Sequence, residues 1–146
     1  MKARTLIPTI ALLASAAYAH QGVQNPAVKA RMDNMVEQGN ALEPLGSMAK
    51  GATPFDAAAA REALAQLRVA AAATPQLFAA PETDPKSEAR PYIWEDFDAF
   101  LAIATRLEAD ALRLSTSVET LDDLRAGLRT VGQSCTACHR DYRVSN

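Results

Sequence analysis

Cysteine and histidine are scarce in this 146-residue chain, at two of each, and there is one tryptophan. Two cysteines exclude a disulfide-dense scaffold. A zinc site needs further ligands at matched spacing, and His20 lies far from the other candidates. Aromatic residues make up 5% of the chain, and none interleave with a basic cluster, which excludes a nucleic-acid-binding surface. The 15 basic residues fall short of the 17 acidic ones. A mildly acidic protein suits basic partner proteins, although charge alone does not name them. No apolar run is long enough for a transmembrane helix, and no segment reads convincingly as a strand.

The first residues read as a targeting segment. Lys2 and Arg4 give a positive start, and Leu6 to Ala17 is apolar but interrupted by Pro8, Thr9 and Ser15. Ala17-Tyr18-Ala19 is a small-x-small cleavage signal, so residues 1–19 are expected to be a signal peptide cleaved after Ala19. The mature chain would then begin at His20, in the periplasm and with no membrane span. Its length, residues 20–146, suits one domain.

Both cysteines fall in Cys135-Thr136-Ala137-Cys138-His139. The spacing Cys-x-x-Cys-His is the attachment signature of a c-type haem. The two thiols bond to the haem vinyl groups and the adjacent imidazole ligates the iron, so Cys135 and Cys138 are expected to bind one haem c and His139 to be a metal ligand. A thioredoxin-like redox pair would want a strand just before the motif, and none is there. Covalent haem attachment in bacteria takes place outside the cytoplasm, so export signal and motif support each other.

The mature chain reads as four helices. The first spans about Pro26 to Lys50, with Val28, Met32, Met35, Leu42 and Leu45 at helical spacing. Gly51-Ala52-Thr53-Pro54 ends it. The second starts at an Asp56 N-cap and is expected to stop near Ala73, because Pro75, Pro81, Pro85 and Pro91 deny the next segment a helix. That segment is the crossover between two helical hairpins, and its charged part from Glu82 to Glu88 reads as simply solvated. The third spans about Pro91 to Ser117, and the fourth about Thr120 to Arg143. In the fourth, Leu121, Leu124, Leu128, Val131, Cys135, Cys138 and Tyr142 step by three and four along one face. The expected fold is all-α, an antiparallel four-helix bundle with haem bound covalently to the C-terminal helix.

At these residues the chain resembles the cytochrome c′-type family, the class II c-type cytochromes. The haem motif lies close to the C-terminus and is followed by Arg140-Asp141-Tyr142-Arg143. Arg31 and Met35 match a first-helix pattern of a basic residue followed four later by Met or Leu. Met48-Ala49-Lys50-Gly51 with Pro54-Phe55-Asp56 resembles the first interhelix turn, and Pro91-Tyr92-Ile93-Trp94 the entry to the third helix. The resemblance covers the mature chain, although only the haem motif is highly specific.

The resemblance implies a choice about the residue facing the iron opposite His139. In low-spin relatives a first-helix methionine supplies the sixth bond and the protein carries electrons. In cytochromes c′ the sixth position is open, guarded by an apolar side chain, and small gases such as nitric oxide or carbon monoxide bind. Met35 sits where either variant places its distal residue, and core filling competes with ligation. The leading expectation is electron transfer between redox partner proteins with His139 and Met35 as axial ligands and no enzymatic activity; the alternative is a five-coordinate gas binder. A haem peroxidase is disfavoured, since no distal His–Arg pair is visible. Arg31 is expected to pair with a haem propionate or order the haem edge or, equally, to be a solvated charge beside the core. Arg143 is expected over the proximal face of the haem or as a frayed terminal arginine. Trp94, Phe97 and Phe100 are expected to pack, and Tyr142 to be core with its hydroxyl at the rim. Relatives of this kind are often homodimers through their first two helices, which the alanine-rich second helix allows, although a seam of small residues suits packing within one chain equally well.

Overall fold

The computed structural model describes residues 22–144, so the expected signal peptide, its cleavage site and His20 lie outside the described residues. Five helices follow in order: α1 (Pro26–Ala49), α2 (Ala57–Leu77), the single-turn α3 (Tyr92–Glu95), α4 (Phe97–Ser117) and α5 (Leu121–Tyr142). Among the described residues there is no strand, only an isolated bridge between Ala89 and Arg143.

The helix starts have local causes. The Asn25 side chain accepts the amides of Ala27 and Val28, and Pro26 occupies the first turn of α1, where its missing N–H costs nothing. Asp56 caps α2 through the amides of Ala58 and Ala59. Thr120 and Asp123 form a reciprocal capping box at the start of α5. Gly51, at φ +75°, turns the chain after α1 in a conformation that a side chain would strain.

Two helix limits differ from the sequence expectation. Helix α2 runs through Pro75 to Leu77 instead of stopping near Ala73. Distant partners hold its last turn. The amides of Asn34 and Gln38 on α1 both donate to the Thr74 hydroxyl at 3.1 Å, and the Arg31 guanidinium donates to the terminal carbonyl of Leu77 at 2.8 Å. These bonds satisfy groups that a helix end otherwise leaves open. The expected third helix is broken at Asp96, whose backbone (φ −126°, ψ 42°) separates α3 from α4. Past the break the buried stripe of α4 is Phe100, Ala104, Leu107, Ala111 and Leu114, with Leu101 only half-buried.

The four long helices close a bundle: α1 packs on α2, α2 on α4, α4 on α5 and α5 on α1. Three contacts fix an antiparallel arrangement. Arg61, early in α2, donates to the carbonyl of Val118 just past the end of α4. Arg125, early in α5, donates to Ala49 at the end of α1. Trp94, before α4, donates its indole N–H to Phe78 just past α2. The α4–α5 contact is close at Gly127, where a Cβ would fall 2.6 Å from a Leu114 methyl.

The core divides in two. One cluster is aliphatic, centred on Leu45, Leu64, Leu67, Ala111, Leu114, Val118, Leu124 and Val131. The other is aromatic, built on Phe78, Ile93, Phe100 and Tyr142 with Met35, Trp94, Phe97 and Cys138 packed against it. Full burial of a leucine contributes about 1.5–3 kcal/mol, so the aliphatic cluster holds the bundle while the aromatic end surrounds a cavity.

Candidate functional site

The haem motif lies in the last two turns of α5, with its cysteines divided between the clusters. Cys135 packs on the aliphatic core and Cys138 on the aromatic one. Cys138 and His139 line a cavity of about 420 Å³ whose wall is mostly apolar. Burial pushes both thiols up, Cys138 to about 11 with Cys135 and Asp141 adding to the effect, so both are uncharged at neutral pH. His139 is exposed at the mouth of the cavity it lines. Partial burial and the Arg143 charge lower its pKa, while Glu88 opposes the shift. The neutral imidazole this favours is the form that ligates metal.

The facing wall comes from α1, which contributes Val28, Arg31, Met32, Met35 and Val36 to the cavity. Its buried stripe toward the bundle is unusually polar, containing Arg31, Asn34 and Gln38 before Ala41, Leu45 and Met48. Met32 and Met35 flank that stripe, half-buried, on the cavity side. The residues fit a haem on the chemistry of their donors: the Cys138 thiol and the His139 imidazole on one wall, with Cys135 one turn away on the same helix, two thioethers on the other, and apolar side chains between. Among the described residues no group of three or more His, Cys, Asp or Glu comes together to hold a bare ion. Iron seated here would therefore bring its own equatorial ligands.

Arg31 is not a solvated charge. It is 3% exposed, and its guanidinium donates to Leu77 (2.8 Å), Ala80 (2.5 Å) and Glu82 (2.7 Å) carbonyls. Its Cζ also lies over two rings, 5.0 Å from the Phe78 centroid and 5.2 Å from the Trp94 centroid. Burial lowers its pKa, partly offset by Glu82.

Arg143 is also held in place. Its amide bonds back to His139 and its guanidinium meets Glu88 through Nε (2.7 Å) and Nη2 (2.6 Å). The flanking amides of Arg90 and Val144 bond to the carbonyls of Tyr142 and Glu88, which straps the end of the crossover to the end of α5. Arg143 lines the cavity beside His139.

The stretch from Glu82 to Glu88 is therefore not simply solvated, contrary to the sequence reading. Asp84 accepts the amides of Gln24, Asn25 and Lys86, and Glu82 accepts from the Asn25 side chain. Sequence reasoning missed these roles because every partner except Lys86 is more than 50 residues away. Tyr142 is core as expected, 4% exposed, with its hydroxyl bonded to Asp96. Trp94, Phe97 and Phe100 pack together as expected.

Residues 26–143 match the family described as Cytochrome C′. The chain is 35% identical to a cytochrome c-556 of Agrobacterium tumefaciens over 118 residues, spanning 80% of this chain and 96% of the relative. Its fold is similar to that of cytochrome c′ from Rhodopseudomonas palustris, with a TM-score of 0.78 at 29% identity over 84% of this chain and 99% of that one. It is also similar to a cytochrome c′ variant from Alcaligenes xylosoxidans in complex with nitric oxide. That match has a TM-score of 0.73 at 31% identity, covering 82% of this chain and 94% of that one.

Proposed function

This chain belongs to the cytochrome c′ family and carries covalently attached haem c, and from that premise we propose that it is a periplasmic electron carrier with His139 and Met35 as axial ligands. The observation that supports the reading most is the pairing of walls. Met35 on α1 lines the same cavity as Cys138 and His139 on α5, and both Met35 and Cys138 pack on the aromatic cluster. Haem bound here supplies a one-electron iron couple, and a thioether opposite histidine favours its ferrous form and raises its potential.

The chain's own residues then have definable tasks. Cys135 and Cys138 would hold the group to α5, the same helix that carries His139. The lowered pKa of His139 keeps the imidazole available as a base. Phe78, Ile93, Phe100 and Tyr142 exclude water from the inner edge. No side chain is required to move a proton, which suits electron transfer without substrate chemistry.

A second reading has one observation in its favour, the nitric oxide complex of the Alcaligenes xylosoxidans relative. In that reading Met35 only lines the pocket and a small gas takes the sixth position. Resonance Raman spectra of the purified ferric and ferrous protein separate the two. Six-coordinate low-spin haem in both states supports electron transfer. A five-coordinate high-spin ferrous haem supports gas binding.

A further inference from the structure

Arg31 combines features that a propionate partner does not need. Its guanidinium is buried, its Nε, Nη1 and Nη2 each donate to a different backbone carbonyl between Leu77 and Glu82, and its Cζ lies over two aromatic rings, Phe78 and Trp94. The three carbonyls belong to the end of α2 and the start of the crossover, and both rings belong to the cluster that Met35 packs against. One of those rings, Trp94, ties itself to the same segment through its indole N–H on Phe78. Arg31 is one turn before Met35 on α1, so the two share a face.

We propose that Arg31 is a positioning residue that clamps crossover residues 77–82 and the Phe78–Trp94 pair onto α1, and thereby fixes the wall carrying Met32 and Met35 at its distance from His139. A planar fork suits this task, because one guanidinium meets three acceptors at once and still leaves its delocalised face to aromatic rings. The burial that lowers its pKa also strengthens the carbonyl contacts, since no water competes for them. The consequence for axial ligation rests on the electron-transfer reading; the clamp itself does not.

The test uses haem-loaded full-length protein with Arg31→Lys, which keeps the positive charge but cannot reproduce the fork. Amide hydrogen exchange is followed by mass spectrometry, and carbon monoxide association with the ferrous haem is timed in parallel. The clamp predicts exchange about tenfold or more faster at the amides of Phe78, Ala79 and Glu82, with the Leu64–Leu67 segment unchanged. It also predicts faster carbon monoxide association. Phe78→Leu, which leaves all three carbonyls in place but removes one stacking face, should give a smaller change in the same direction.

Unchanged exchange over 77–82, or a uniform rise across all helices, overturns the proposal. The first result would leave the charge as what matters, and the second would make Arg31 a general stability residue. If the wild-type ferrous haem is high-spin, the Met35 reading fails alone, and the exchange pattern and association rate still judge the clamp.

Discussion

The Tyr142 hydroxyl donates to the Asp96 carboxylate at 2.9 Å, joining the last residue of α5 to the break between α3 and α4. The bond lies three residues from His139 on the same helix. Tyr142 also stacks on Tyr92 and meets Phe100 edge-on. The end of the helix that carries the haem motif is thus anchored by a ring and a hydrogen bond, where an unanchored helix end would fray.

Tyr142→Phe keeps the ring and removes the bond, so it should lower stability by about 1–2 kcal/mol in thermal or denaturant unfolding. Burial, with Asp96 next, pushes the Tyr142 hydroxyl up to about 12. The folded value lies above the unfolded value near 10, so the stabilisation is complete below about pH 10 and is lost as pH rises toward 12. Ultraviolet titration of the tyrosinates should show the highest-titrating one missing from Tyr142→Phe.

Asp84 gives the opposite pH signature. Amide bonds from Asn25, Lys86 and Gln24 hold its carboxylate below the ordinary range. Its contribution is present above the unfolded value near 4 and is lost as pH falls through the lower folded value. Asp84→Asn should therefore lower the melting temperature at pH 7, and the gap from wild type should narrow on acidification below pH 4. An equal gap at pH 7 and at pH 3 would contradict this role.

Thr74 accepts both buried amides of α1 while its own hydroxyl donates to Ala70 at 3.4 Å. Thr74→Val leaves the Asn34 and Gln38 amides without that acceptor and should cost roughly 2–4 kcal/mol. Thr74→Ser should recover most of it. Chemical denaturation of the haem-loaded variants measures both.

The contrast between Thr74 and Asp56 marks what could be read in the chain. Asp56 and Thr120 start their helices through bonds to residues at most four positions away, and Pro26 suits the first turn of α1 because it has no N–H to satisfy, so their roles are visible in a short window. The α5 seam was legible for the same reason, since Leu124, Val131 and Tyr142 are buried at separations built from steps of three and four, with Leu128, Cys135 and Cys138 half-buried between them. The continuation of α2 through Pro75 was not, because it depends on Asn34, Gln38 and Arg31, which lie 36–46 residues away. Glu88 and Arg143 are 55 residues apart, and neither carries a local mark of the other. At the site itself, Cys135, Cys138 and His139 were legible as a motif. Periodicity put Met32 and Met35 on one stripe, and the structure gives both of them to the cavity wall.

Met35→Ala tests the central claim most directly, read by the spectrum and by carbon monoxide binding of the ferrous protein. If Met35 is the sixth ligand, the wild type is low-spin and takes up carbon monoxide slowly, whereas the variant becomes high-spin and binds it fast. Met32→Ala should leave the spectrum low-spin. A wild-type protein that is already high-spin, or a Met35→Ala spectrum that does not change, contradicts axial ligation and leaves Met35 as a lining residue of a gas-binding pocket.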